Sequence, residues 1–133
     1  MKNLALFKDI CLSNFDINNY PYKLTFAITY KCNYRCIQCK IWKRGLKREM
    51  KIKEIKSFVE NFPYFKWINI TGGEPFLRRD FTKIIKTFIK NSYEISLINT
   101  TTNGFNPEMI SNSVLKTLNL NPNLLIVVVS LDG

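Results

Sequence analysis

Residues 66–101 read KWINITGGEPFLRRDFTKIIKTFIKNSYEISLINTT, and this stretch holds one full repeat of the pattern that decides the fold. Lys66 to Thr71 reads as a strand that ends in Gly72-Gly73. Asp80 is placed to cap a helix over Phe81 to Lys90, whose Ile84, Ile85 and Phe88 share one face. Tyr93 to Thr101 is the next strand, ending near Asn103-Gly104.

The same alternation extends outward in both directions. Upstream, Leu24 to Tyr30 is an apolar, β-branched strand. Lys51 to Phe62 then sets Ile52, Ile55, Phe58, Val59 and Phe62 at helical spacing. Downstream, Pro107 opens a helix over Glu108 to Leu120, and Leu124 to Ser130 is a strand that stays apolar until its end. Strand and helix alternate three times and a strand follows. That order predicts an α/β fold, a parallel sheet of about four strands with helices outside, wound in sequence order by right-handed crossovers. Residues 1–23 are expected to be a lead-in segment and residues 24–133 a partial (βα) barrel, truncated after the fourth strand. A long apolar final strand left bare invites aggregation, so the remainder of a barrel or a second chain is expected to cover it.

The chain has 133 residues, 46% of them hydrophobic, which suits one ordinary folded domain rather than a disordered segment. No apolar run approaches a membrane span, and the start is too short in apolar residues for a signal peptide. A cytoplasmic location is therefore expected, and there cysteines serve metal or redox chemistry more often than disulfides. The net charge of +10 comes from 20 basic against 10 acidic residues. Lysines such as Lys83, Lys86 and Lys90 fall at helical spacing, which reads as a solvated basic surface and makes nucleic acid an unfavoured partner. Histidine is absent, which excludes Cys/His zinc-finger patterns and the commonest general base.

Ligands in parallel α/β folds bind beyond the carboxyl ends of the strands. Four features fall there. Cys32, Cys36 and Cys39 follow the first strand, spaced C-x3-C-x2-C, and Gly72-Gly73-Glu74-Pro75 follows the second. Thr101-Thr102-Asn103-Gly104 follows the third and Ser130-Leu131-Asp132-Gly133 the fourth. Three thiolates on one short loop call for a metal or a cluster. A [4Fe–4S] cluster takes one thiolate per iron, so three leave one iron open to a small molecule. A zinc site is the other reading of the same spacing, with Cys11 as its fourth ligand; Cys11 is otherwise a small buried apolar residue.

Taken together and in this order, these motifs resemble the radical S-adenosylmethionine (radical SAM) superfamily over about residues 24–133. The resemblance implies an incomplete radical SAM barrel, similar to a TIM barrel. It implies an enzyme with a [4Fe–4S] cluster on Cys32, Cys36 and Cys39, whose open iron chelates SAM. One electron would cleave SAM to methionine and a 5′-deoxyadenosyl radical, which takes hydrogen from a substrate. By the same resemblance Gly72, Gly73, Glu74 and Pro75 bind the SAM amino group. Glycines let carbonyls approach closely, and Glu74 adds an acceptor. Thr102 and Asn103 would line the SAM pocket, and Ser130 and Asp132 would reach the SAM carboxylate or ribose. A low-potential ferredoxin or flavodoxin, usually acidic, is the implied electron donor and suits a basic surface. No catalytic side chain is assigned.

Gln38 departs from the family, which often has an aromatic residue there against adenine; Tyr34 lies in the same loop. Trp42 is expected to shield the cysteine loop. Phe62, Tyr64, Phe65 and Trp67 are expected to pack structurally rather than stack on bases, and Arg78 and Arg79 to lie at the surface near the rim. The competing reading is a non-catalytic cysteine-ligated metal module or an inactive fragment of the family.

Overall fold

Four strands, β1 (Lys23–Thr29), β2 (Trp67–Gly72), β3 (Leu97–Thr102) and β4 (Leu125–Val129), form one all-parallel sheet in spatial order β1-β2-β3-β4. The computed structural model describes residues 2–13, 20–45 and 48–131. A helix lies in each connection: α2 (Ile52–Asn61), α3 (Phe81–Asn91) and α4 (Pro107–Leu118), preceded in the chain by α1 (Lys2–Ser13). Two short 3-10 helices, Lys40–Arg44 and Pro75–Leu77, follow the carboxyl ends of β1 and β2.

The period-two alternation of strand side chains sorts the sheet into two unlike faces. Ile28, Ile68, Ile70 and Ile98 join Ile55 and Val59 of α2 and Ile84, Ile85 and Phe88 of α3 in one buried cluster. Each such burial contributes about 1.5–3 kcal/mol. The opposite face carries polar groups at the middle of the sheet. Thr25 pairs with Asn69, Asn69 with Asn99, and Asn99 with Ile126. Asn99 Nδ2 donates to Asn69 Oδ1 at 2.8 Å, and Trp67 Nε1 donates to Asn99 Oδ1 at 2.5 Å. Parallel sheets are usually apolar on both sides; here the two central strands alternate, with one side fitted to helices and the other to polar groups.

Two departures from expectation have local causes. The third strand begins at Leu97 rather than Tyr93. Its ladder can start only where β2 starts, and the first pair is Trp67 with Leu97. Tyr93 instead donates its N–H to Pro63 O at 3.0 Å, closing the turn after α3. The lead-in contains α1, which lacks the strong apolar periodicity that marks α2 and α3. Lys66 Nζ lies 2.6 Å from Asp9 Oδ2 and ties α1 to the amino end of β2. Of the aromatic residues expected to pack, Phe65 is buried and Trp67 half-buried, while Phe62 and Tyr64 are exposed. Phe58 lies 5.5 Å from Phe62 and 6.2 Å from Phe65 between ring centroids. Tyr64 stacks on Tyr20 at 4.2 Å. No helix among the described residues is long and apolar enough to cross a membrane.

Candidate functional site at the carboxyl rim of the sheet

The loop that leaves β1 carries the three cysteines. Cys32 and Cys36 are half-buried and Cys39 is exposed, and none of the chain's four cysteines is in a disulfide. Trp42, in the 3-10 helix that follows, donates Nε1–H to Cys36 O at 3.4 Å. It thereby closes the loop on itself.

The glycine turn after β2 extends the parallel ladder along this loop. Gly73 N–H donates to Thr29 O at 2.9 Å and Glu74 N–H to Lys31 O at 2.7 Å. That approach leaves no room for side chains. A Cβ on Gly72 would stand 2.3 Å from Thr29 O, and one on Gly73 2.1 Å from Lys31 O and 3.0 Å from Cys32 Cβ. Gly72 also has φ +147°, a conformation few residues but glycine adopt. The glycines thus serve first to bring the cysteine loop against the turn.

Glu74 is 2% exposed, and its carboxylate faces inward. Oε1 accepts from Phe76 N–H at 3.2 Å and from the Thr102 hydroxyl at 2.9 Å. Oε2 accepts from Asn103 N–H at 2.8 Å. A buried carboxylate without such donors would be costly, and three donors offset its burial. The expected free acceptor at Glu74 is therefore largely engaged by the protein itself. Thr102 is likewise buried, and its hydroxyl also accepts from Gly104 N–H at 3.2 Å. Asn103 is half-buried beside the cysteine loop. Its Nδ2 lies 2.8 Å from Asn33 Oδ1 and 3.9 Å from Cys32 Sγ.

Ser130 is exposed, and its N–H donates to Thr102 O at 2.8 Å, so it stands beside the TTNG turn. Pro75 is buried at the start of the Pro75–Leu77 3-10 helix, where a residue without an N–H is well tolerated. Asp132 lies outside the described residues. Tyr34 packs edge-on against Phe105 at 5.9 Å, which joins the cysteine loop to the loop after β3. Gln38 is exposed on the same loop as the cysteines.

Arg78 is not a surface residue: it is 8% exposed, and only Arg79 lies at the surface. Its guanidinium donates to Ile28 O, to Met50 O and, at 2.7 Å, to Asp80 Oδ1. Asp80 stands before α3 but makes no capping bond, because its carboxylate is held by Arg78. Glu49 completes this network, 4.0 Å from Arg78 Nε, and it accepts from the Thr29 hydroxyl at 2.5 Å. Thr29 Oγ1 in turn accepts from Lys31 N–H at 3.1 Å, one residue before Cys32. Sequence reading missed Glu49 and Thr29. The available signal was Glu49's isolation as the one carboxylate in the cationic stretch from Lys40 to Lys53.

Cys11 does not join the other three. It lies two residues from Asp9, at the amino end of the sheet, whereas Cys32, Cys36 and Cys39 follow the carboxyl end of β1. Among the described residues no three His, Cys, Asp or Glu side chains are grouped as a single metal ion would need.

The family model of the radical SAM superfamily matches residues 26–131. The GTP 3',8-cyclase of Aeromonas hydrophila is 37% identical over 94 residues, 63% of this chain and 27% of the relative. The GTP 3',8-cyclase of Psychromonas ingrahamii is 36% identical over 107 residues, 74% of this chain and 31% of the relative. The corresponding protein of Yersinia pestis is 38% identical over 89 residues, 63% of this chain and 27% of its own. The chain thus spans less than one third of the length of these curated relatives.

Proposed function

The chain belongs to the radical SAM superfamily, and on that premise we propose that Cys32, Cys36 and Cys39 hold a [4Fe–4S] cluster beside a SAM site at the carboxyl rim. The superfamily uses this cluster and SAM. When bound, the cluster supplies the electron that cleaves SAM to methionine and a 5′-deoxyadenosyl radical, the species that takes hydrogen from a substrate.

The donor chemistry fits the cluster. Three thiols on one loop, with no fourth cysteine near, match a cubane that keeps one iron open. A structural zinc needs four protein ligands about one centre, and Cys11 sits at the wrong end of the sheet for that. The single observation that carries the reading is the convergence at Lys31 and Cys32. The glycine turn bonds Lys31 O through Glu74 N–H at 2.7 Å, and Asn103 reaches Cys32 Sγ at 3.9 Å. Three strand ends therefore meet at the first cysteine.

The chain's own residues divide into two groups. The backbone of Gly72 and Gly73, with Pro75, Ser130 and Asp132, is assigned to hold SAM, while Asn103 faces the cysteine loop. Glu74 and Thr102 act one layer behind, fixing the turn after β3 against the turn after β2. We propose a low-potential flavodoxin or ferredoxin as the electron donor; the net charge of +10 favours an acidic partner. We propose a cytoplasmic location, where thiols that ligate a cluster stay reduced. The relatives' substrate, GTP, is not carried over, because the shared portion is under a third of their length.

Anaerobic reconstitution with iron and sulfide, followed by reduction and electron paramagnetic resonance (EPR) spectroscopy, tests the proposal. A [4Fe–4S]⁺ signal that shifts on adding SAM is expected, and serine in place of any of the three cysteines should abolish it. A colourless protein that retains zinc instead would refute it.

A further inference from the structure

We propose that Asn103 is a positioning residue that raises the reduction potential of the cluster through an N–H···S hydrogen bond to Cys32, an inference that rests on the cluster reading above. The orientation of an asparagine amide is normally ambiguous, because its O and N look alike. Here the network fixes it. Phe105 N–H donates to Asn103 Oδ1 at 3.0 Å, so the oxygen end faces the turn and the nitrogen end faces the cysteine loop. The two Nδ2 hydrogens then meet two acceptors, Asn33 Oδ1 at 2.8 Å and Cys32 Sγ at 3.9 Å.

The backbone beneath is equally constrained. Asn103 N–H is held by Glu74 Oε2 at 2.8 Å, and the neighbouring Thr102 hydroxyl is held by Glu74 Oε1 at 2.9 Å. Glu74 is 2% exposed, so this anchor lies out of solvent. A side chain with every polar atom engaged cannot swing away from the sulfur without breaking several bonds. Such preorganisation is what second-layer groups around a metal ligand provide.

The physical consequence is a bias between oxidation states. A thiolate accepts hydrogen bonds better than a thiol, and donors to cluster sulfurs are among the levers that set the potential. Adding an electron makes the sulfurs more negative. A fixed N–H donor therefore stabilises the reduced form more than the oxidised form, and the potential rises. In this way the Gly72–Pro75 turn, through Glu74 and Asn103, influences how readily the cluster is reduced.

The test is an EPR-monitored redox titration of the reconstituted chain with Asn103→Ser. Serine still offers an oxygen to Phe105 N–H but is too short to reach Cys32. The expected result is a lower midpoint potential at unchanged iron content. The shift should approach a tenfold change in the reduced-to-oxidised ratio, or about 59 mV for one electron. An unchanged potential would overturn the inference. Should the variant bind no iron, pulsed EPR of the wild-type chain decides, with ¹⁵N at the asparagine side-chain amides. A ¹⁵N coupling that survives Asn33→Ala supports the bond, and its absence refutes it. Wild-type protein that takes up no cluster would instead sink the cluster reading itself, and this inference with it.

Discussion

Gly73→Ala should destabilise the chain and loosen the cysteine loop together. The added Cβ would lie 2.1 Å from Lys31 O, 2.6 Å from Lys31 C and 3.0 Å from Cys32 Cβ. Real Cβ contacts do not fall below 3.0 Å, so the Lys31 carbonyl must retreat by most of an ångström. That same carbonyl accepts from Glu74 N–H at 2.7 Å, and the retreat takes the pair out of hydrogen-bonding range. The obstacle is backbone, so no rotamer change relieves it. Overpacking of this kind costs about 1–3 kcal/mol. The lost hydrogen bond adds about 1 kcal/mol. A loss of about 2–4 kcal/mol follows, a large share of the roughly 5–15 kcal/mol that holds a domain folded. Equilibrium urea unfolding reads the stability, and iron and sulfide content after anaerobic reconstitution reads the loop. Stability within about 0.5 kcal/mol of wild type, with full iron uptake, would refute the reasoning, because neutral surface changes fall in that range. It would mean that the turn and the loop are not packed against each other as the contacts indicate.

Arg78→Met should cost about 2–3 kcal/mol in urea unfolding, since it strips the Ile28 and Met50 carbonyls and the partly exposed Asp80 and Glu49 carboxylates of their shared cation; Arg78→Lys should recover only part, lacking the planar fork. A methionine variant as stable as wild type would return Arg78 to the status of a rim residue. The Glu54 carboxyl is held below the usual carboxylate range, first by donation from Lys51 N–H and also by the Arg48 charge. A depressed folded value means that this contribution is present above the unfolded carboxyl value and is lost as pH falls through the folded one. An NMR titration should find the Glu54 midpoint below that of a free glutamate, and Arg48→Ala should raise it; no change in Arg48→Ala would remove the charge from the explanation.

Much of this molecule was legible in the chain because the relevant signals are local. Ile84, Ile85 and Phe88 announce the buried face of α3 by their spacing alone, and all three are fully buried. Strand order followed from alternation, since parallel neighbours need a crossover helix. The boundary of β3 was less legible. Nothing in Tyr93 to Ser96 says that β2 offers no partner until Trp67. Residue type misled at Asp80 and Arg78. An aspartate before a helix looks like a cap, and an arginine beside another arginine looks like surface. Each has the other as partner, and the pair closes over Ile28 O, fifty residues earlier.

By itself the sequence determined which residues could do chemistry and on which rim they would gather. The thiol spacing, the glycine turn and the strand-end position of each motif are one-dimensional facts, and the alternating fold carries them to one edge. Only the tertiary structure decided what those residues do to one another. Glu74 and Thr102, both candidates for ligand contact, face each other in the interior, and Asn103 turns its amide to Cys32. Gly72 and Gly73 must be bare because Thr29 and Lys31 pass beside them. The physical reason is that a buried polar group is defined by its partners, and partners 28 or 71 residues apart in sequence are set by packing rather than by pattern.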